Sequence, residues 1–346
     1  MTAQDKAKVK PDSGGKTYIP YGRQLIEEED IRAVTEVLRS DWLTQGPAVP
    51  AFEQIVKEKC GAAHGVAVNS ATSALHLACL ALGVGAGDVV WTSPITFVAT
   101  ANCARHCGAE IDFVDIDPLT FNMSASALEQ KLVKASGRGR LPKVVIPVHM
   151  AGQSADMAAI HRLSQAYGFR IIEDASHAIG GRYRDKPIGD CRFSDIAIFS
   201  FHPVKIITTA EGGMAVTNDP ELARKMAMLR NHGTTRDEAE MTAPSEGAWY
   251  YQQLLLGFNY RMTDALAALG ISQAKRLDRW VVRRAQLADR YHRGLAGLPL
   301  VPPHVGTYAT PAWHLYVIQL KDQAPVDRAG LFSALRKDEI GVNVHY

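Results

Sequence analysis

Phe199-Ser-Phe-His-Pro-Val-Lys-Ile-Ile-Thr-Thr-Ala-Glu-Gly-Gly213 places a single lysine, Lys205, between two apolar segments. Asp195-Ile-Ala-Ile-Phe-Ser-Phe201 reads as one buried strand and Gly213-Met-Ala-Val-Thr217 as another. Val204, Ile206 and Ile207 flank the lysine, in a setting where a permanent ammonium charge is costly. Two readings follow. The side chain snorkels to water, as most lysines beside a strand end do, or it serves as a neutral amine that forms Schiff bases with carbonyls. Ser200 and Thr208 add hydroxyls, and Glu211-Gly-Gly213 gives a turn that lets backbone approach a ligand closely.

Outward from this stretch the chain alternates strand and helix. Short apolar strands are expected at 66–68, 88–91, 111–114, 144–148 and 169–172, and the two around Lys205 make about seven. Helical periodicity covers 70–82, 97–107, 125–133 and 156–167, with two earlier helices over 27–38 and 51–57. The expectation is an α/β protein with a mainly parallel seven-stranded sheet flanked by helices. Ligands of such sheets gather where the strands end. Asn69-Ser-Ala-Thr-Ser73, Ser93-Pro-Ile-Thr-Phe97, His149-Met-Ala-Gly152, Glu173-Asp-Ala-Ser-His177 and Ser200-Phe-His202 all lie at such ends.

A long helix from 265 to about 293 is expected to lead into a smaller domain. There Trp313-His-Leu-Tyr-Val-Ile-Gln-Leu320 reads as a strand, 328–336 as a helix and Gly341-Val-Asn-Val-His-Tyr346 as a last strand. The division is then a flexible tail over 1–18, a large domain over 19–264 and a small C-terminal α/β domain over 265–346. A chain that stops inside a strand leaves ladder groups unpaired, so the small domain is expected to be incomplete.

Composition excludes several classes. The 346 residues are 47% hydrophobic, and 38 basic against 36 acidic residues give a net charge of +2, which favours neither nucleic acid nor an anionic membrane. No apolar run reaches membrane-spanning length, and the polar start lacks a signal-peptide core. Five scattered cysteines fit reduced thiols in a cytoplasm. Cys103 and Cys107, with His106, stand at helical spacing; a pair of buried thiols is favoured over a metal site, and no metal is expected.

Gly83-Val-Gly-Ala-Gly87 follows a helix and precedes a strand, so it is a helix-ending turn and not a dinucleotide fingerprint. Asp174, Ser176 and His177 are too close in sequence to form a hydrolase triad by themselves. Asn69-Ser-Ala-Thr-Ser73 runs from strand into helix, and serves either as a plain N-cap or as an anion site of N–H groups and hydroxyls. Asp174 closes an otherwise apolar strand, where a carboxylate needs a cation. A pyridinium nitrogen is such a cation, and a lysine Schiff base paired with an Asp at the pyridine nitrogen is the pyridoxal phosphate (PLP) arrangement. Phe97 could then stack on the ring.

Asn69-Ser-Ala-Thr-Ser-Ala-Leu75, Ile172-Glu-Asp-Ala-Ser-His177, Phe199-Ser-Phe-His-Pro-Val-Lys205, Thr209-Ala-Glu-Gly-Gly213 and Gly257-Phe-Asn-Tyr-Arg261 together resemble the DegT/DnrJ/EryC1/StrS sugar aminotransferases. Their wording, with Ser93-Pro-Ile-Thr-Phe-Val-Ala-Thr-Ala-Asn102, is most similar to the branch of pseudaminic-acid biosynthesis. The resemblance implies a fold type I PLP-dependent transferase acting as a homodimer, with L-glutamate and a UDP-4-keto-6-deoxy-amino-sugar as substrates. It implies Lys205 as the Schiff-base residue, Asp174 at the pyridine nitrogen, Phe97 on the ring and His177 near the ring hydroxyl. Ala71, Thr72 and Ser200 would hold the phosphate, joined by Asn259 from the second subunit. Tyr21, Leu43, Thr44, His314 and Tyr316 would line the sugar-nucleotide cleft. Many relatives carry Gly where this chain has Ala210. The competing readings are another NDP-4-keto-sugar aminotransferase, a non-catalytic PLP-binding regulator, and a dehydratase relative; the last replaces the lysine by histidine, which Lys205 argues against.

Overall fold

The computed structural model describes residues 18–346. All of the expected tail except Tyr18 lies outside them. Seven strands form the central sheet: β1 (His64–Val68), β2 (Val89–Thr92), β3 (Glu110–Phe113), β4 (Val144–Ile146), β5 (Arg170–Asp174), β6 (Ile196–Ser200) and β7 (Gly213–Thr217). Their order is β1-β7-β6-β5-β4-β2-β3. Every neighbouring pair is parallel except those of β7, which runs antiparallel to both β1 and β6. The exception follows from connectivity. A parallel neighbour needs a crossover, usually a helix, whereas β6 returns directly through the lysine loop as an antiparallel neighbour.

The helices are α1 (Glu28–Leu38), α2 (Ala48–Cys60), α3 (Ala71–Ala81), α4 (Ala99–His106), α5 (Ala125–Ser136), α6 (Met157–Tyr167), α7 (Pro220–Arg230), α8 (Asp264–Ala274), α9 (Leu277–Gly294) and α10 (Arg328–Lys337). Several starts are capped by the residue the sequence supplies. Ser70, Ser124 and Asp156 accept from the backbone N–H of Ser73, Ala127 and Ala159. Alternate residues of the central strands enter different cores. Val66, Val68, Ile196 and Ile198 pack on one face with α3 and α7, while Ala67, Ala197 and Phe199 pack on the other with α2 and α8. Helices on both faces explain why these strands are apolar throughout.

Four sequence expectations need correction. The helix over 265–293 is two helices, α8 and α9, broken at Lys275–Arg276. Within 313–320 only Gln319–Leu320 is a strand, paired with Leu300–Val301, because Trp313 adopts φ +52° and breaks the extended path. Residues 341–346 form no strand; Ile340 makes a lone bridge to Ile19, and Gly341 N–H bonds Ile19 O at 2.7 Å. β4 stops at Ile146 because Pro147 has no N–H for the ladder. Helix α7 was not anticipated, although its cap Asp219 followed by Pro220 at the first helical position is a legible start signal. Among the described residues no helix is long and apolar enough to cross a membrane.

Candidate active site

Asp174 is the last residue of β5 and only 4% exposed. Its backbone is fixed on both sides, N–H to Pro147 O at 2.9 Å and C=O from His149 N–H at 3.0 Å. Its carboxylate accepts from Thr100 Oγ1 at 2.7 Å and from Ser176 N–H at 3.1 Å. The neighbouring Glu173 belongs to another network. It meets His149 Nε2 at 2.6 Å and accepts from Ser194 Oγ, while His149 Nδ1 accepts from Ala155 N–H at 3.2 Å. Two consecutive acids therefore serve separate sites, as strand alternation requires.

Lys205 lies in the loop from β6 to β7, where its N–H bonds His202 O at 2.9 Å. Burial pulls its amine down to about 8 from an ordinary 10.5, and the Asp174 carboxylate opposes that pull. The Asp174 carboxylate is thus near enough for its charge to act on the amine. His177 is near the amine too, with its ring 4.4 Å from that of His314. Burial, and then the charge of Lys205, hold His177 well below its ordinary pKa, so its imidazole is neutral at pH 7. His314 is pushed down in the same way, by burial first and His177 next. Nδ1 of each histidine is buried without a hydrogen-bond partner among the described residues. Such donors and acceptors are normally satisfied, so they mark a place for a ligand or water.

Tyr346 and His345 complete the cluster, and the sequence reading missed both. Tyr346 OH meets His177 Nε2 at 3.2 Å, and its ring centroid lies 6.4 Å from that of Phe97. His345 Nε2 meets Tyr21 OH at 2.8 Å. Phe97 precedes α4 and is 58% exposed, which leaves its ring face open. Thr100, one helical turn further, was also missed. It is fully buried in the first turn of α4, and nothing local marks it as the partner of Asp174, 74 residues away.

The second half of the site is the start of α3. Ser70 Oγ caps Ser73 N–H at 3.1 Å, and Asn69 Oδ1 accepts from Ser73 Oγ at 2.6 Å. The N–H groups of Ala71 and Thr72 have no partner within the helix, as at any helix start, and can meet an anion. Gly213 opens β7 directly opposite Ser200. A Cβ at Gly213 would lie 2.5 Å from Ala71 N and from Ser70 C and O, so only glycine lets this strand and the helix start touch. Ser200, Ala71 and Thr72 are thereby brought together. Ala210, where many relatives have glycine, adopts φ +66°, which explains that preference, and its N–H bonds Thr208 Oγ1 at 2.9 Å.

The remaining expected residues lie further out. Leu43 and Thr44 form an exposed loop tied to the head of α8, where Leu43 O accepts from Asp264 N–H at 3.0 Å. Buried Asp264 clamps that loop by accepting from Gly46 and Ala48 N–H, each at 2.8 Å. Tyr316 packs against Tyr291 of α9 and stacks on Trp313. Asn259 is exposed on a segment bridged to Asn231, and the carbonyl of the next residue, Tyr260, accepts from Asn69 N–H at 2.9 Å beside the start of α3. Among the described residues no group of three or more His, Cys, Asp or Glu side chains is arranged to hold a metal ion.

This donor set fits pyridoxal phosphate. A buried carboxylate awaits a cation, a depressed-pKa amine lies near it, an open aromatic face stands beside them, and a helix start with small residues offers N–H groups to a phosphate.

Comparison with known proteins bears on the same conclusion. The DegT/DnrJ/EryC1/StrS aminotransferase family model matches residues 24–346. The chain is 43% identical over 333 residues to the spore coat polysaccharide biosynthesis protein SpsC of Bacillus subtilis (strain 168), covering 95% of this chain and 83% of that one. It superposes on Helicobacter pylori PseC, an aminotransferase involved in the biosynthesis of pseudoaminic acid, with TM-score 0.85 and 32% identity over 95% of this chain and 85% of PseC. The PLP-form of Spr1654 from Streptococcus pneumoniae gives TM-score 0.84 at 31% identity, over 95% and 85% of the two chains.

Proposed function

The chain belongs to the DegT/DnrJ/EryC1/StrS aminotransferase family, PLP-dependent sugar aminotransferases, and from this we propose that it moves the amino group of L-glutamate to C4 of a UDP-4-keto-6-deoxy-HexNAc. The product would be of the UDP-4-amino-4,6-dideoxy-N-acetyl-β-L-altrosamine type, as in pseudaminic-acid biosynthesis. The likeness to PseC supports this choice of sugar. The observation that carries the catalytic reading is the Lys205 amine, depressed toward neutrality and near Asp174.

When bound, pyridoxal phosphate supplies an aldehyde that exchanges amine partners and a ring that accepts electrons from a neighbouring carbon. The chain supplies the rest. Asp174, held by Thr100 and Ser176, presents a fixed negative charge to the ring nitrogen. Lys205 Nζ would hold the cofactor, and its amine, with a pKa near the working pH, is suited to take up and return a proton. Ser200, Ala71 and Thr72 would hold the phosphate, Phe97 would cover one ring face, and neutral His177 would offer a hydrogen bond without adding charge. Tyr21, Leu43, Thr44, His314 and Tyr316 are proposed for the sugar-nucleotide side.

A homodimer accompanies this reading. Trp249 and Leu256 are 73% and 84% exposed on the segment that leads to Asn259, an unusual placement for large apolar side chains. A second copy that covers them would bring Asn259 to its neighbour's phosphate. A cytoplasmic location, and the division at 264/265, belong to the proposal as well; the packing of α8 on α1 and α2 favours placing the division at the 275–276 break instead.

The test is amino transfer from L-glutamate over a panel of UDP- and dTDP-4-keto sugars. Preference for the UDP-4-keto-6-deoxy-HexNAc supports the sugar assignment, and preference for a dTDP sugar replaces it. A cofactor spectrum that glutamate does not change would sink the catalytic reading altogether.

A further inference from the structure

Glu173 is a buried acid for which the cofactor chemistry has no direct use. It is 4% exposed, immediately precedes Asp174 in β5 and, by strand alternation, points to the other side of the sheet. An acid in such a place is costly unless it is hydrogen-bonded. Both of its oxygens are: Ser194 Oγ donates to Oε1, and His149 Nε2 donates to Oε2 at 2.6 Å. The far side of the imidazole sets the direction of the second bond. Ala155 N–H donates to His149 Nδ1 at 3.2 Å, so Nδ1 presents a lone pair and the ring proton sits on Nε2. The fully buried His149 ring is thereby held in one tautomer and one orientation.

The same histidine grips Asp174 through its main chain. β4 ends at Ile146, and beyond it Asp174 N–H bonds Pro147 O at 2.9 Å while His149 N–H bonds Asp174 O at 3.0 Å. These contacts close a circuit from the Glu173 side chain to the His149 ring, to the His149 N–H, to the Asp174 carbonyl and back along the chain to Glu173. The turn that follows His149 is fastened as well. Met150 N–H donates to Asn122 Oδ1 at 2.8 Å, and Asn122 Nδ2 donates to Gln153 O at 3.1 Å. Ala151 within that turn takes φ +59°, a conformation that persists only where the surroundings hold it.

We propose that Glu173 and His149 are positioning residues for Asp174, setting the main chain at the end of β5 and so the place from which its carboxylate meets the cofactor. The inference rests on the reading of Asp174 as the partner of the pyridine nitrogen. Thr100 and Ser176 fix the rotation of that carboxylate. A shift of the main chain would carry it away bodily, and the Glu173–His149 pair opposes that shift from the opposite side of the sheet. Neither residue of the pair touches the cofactor in this arrangement.

The experiment titrates cofactor-free protein with PLP, followed by absorbance, for the parent, Glu173→Gln, Asp174→Asn and the double variant, with circular dichroism and a thermal melt of each. Glu173→Gln keeps the side chain's size but puts an amide where Ser194 and His149 both require an acceptor. It should weaken PLP binding about ten-fold, the scale on which partners behind a ligating group act, at a temperature where the variant is fully folded. In the Asp174→Asn background the same change should add little, because the carboxylate it serves is gone. Ser194→Ala removes only the hydroxyl on Oε1; it should show the same effect in smaller measure and keeps the test open should Glu173→Gln not fold. A lower melting temperature with PLP affinity unchanged would make the pair a purely structural element and overturn the proposal, as would an equal loss of affinity with and without the Asp174 carboxylate. If Asp174→Asn by itself left PLP affinity unchanged, the reading of the cofactor site would fail first, and the positioning role with it.

Discussion

Thr100 Oγ1 donates to Asp174 Oδ2 across 2.7 Å, from the first turn of α4 to the end of β5. With Ser176 N–H on the other oxygen, that bond fixes the carboxylate by a residue that never needs to touch the cofactor. Thr96 Oγ1, 2.8 Å from Thr100 Oγ1, extends the chain of hydroxyls. Since a hydrogen bond to a charged group contributes roughly 1.5–3 kcal/mol, Thr100→Val should weaken PLP binding about ten-fold or more. Titration of the cofactor-free variant with PLP, followed by absorbance, checks this. Unchanged affinity would show that Ser176 N–H suffices.

Lys205 makes the cofactor-free protein sensitive to pH. Its folded pKa of about 8 lies below the ordinary 10.5. Between those values the unfolded chain binds more protons, so stability rises with pH across that window. Below about 8 the buried amine is charged in both states and its full cost is felt. Lys205→Met should therefore be more stable than the parent near pH 7, and the difference should shrink toward pH 10.5. Thermal melts of the two cofactor-free proteins over pH 7–10.5 give the answer; a constant difference would contradict the depressed pKa.

Gly213→Ala tests the contact between β7 and the start of α3. The added methyl would press on the Ser70–Ala71 backbone, which cannot swing aside as a side chain could. We expect a stability loss of about 1–3 kcal/mol together with weakened PLP binding, because Ala71 and Thr72 must move. Urea unfolding and PLP titration measure the two effects. A drop in stability with PLP affinity intact would separate the helix start from the cofactor.

Ala210→Gly runs the other way. At φ +66° the alanine Cβ costs about 1–2 kcal/mol, partly offset by the greater freedom glycine brings to the unfolded chain. The variant should melt a few degrees higher, with activity retained. A lower melting temperature would mean that the Ala210 methyl makes contacts worth more than the strain it causes.

Much of the sheet could be read from single residues. β1, β2, β6 and β7 are short apolar runs bounded by turn formers, and their burial on both faces leaves no other use for such runs. The C-terminal region was harder to read. Trp313-His-Leu-Tyr-Val-Ile-Gln-Leu320 has strand composition, yet Trp313 takes a left-handed conformation and Arg284 Nη1 donates to its carbonyl at 3.0 Å. The 265–293 helix looked continuous because nothing local marks a break. Its cause is distant: Arg276 turns to Asp30 of α1, which it meets at 2.6 Å.

Within the site the same division holds. Lys205, Asp174 and the Asn69–Ser73 turn could be named from the sequence because each is a polar group at the end of an apolar strand, a local contradiction that calls for a ligand. Thr100, His345 and Tyr346 could not, since their meaning depends on which strand end they face, 74 residues away in the Thr100–Asp174 pair. Local pattern decides what each segment becomes, because periodicity and burial act over a few residues. Only the packed chain decides which segments meet, since a hydrogen bond or an electrostatic contact depends on distance in space and not along the sequence.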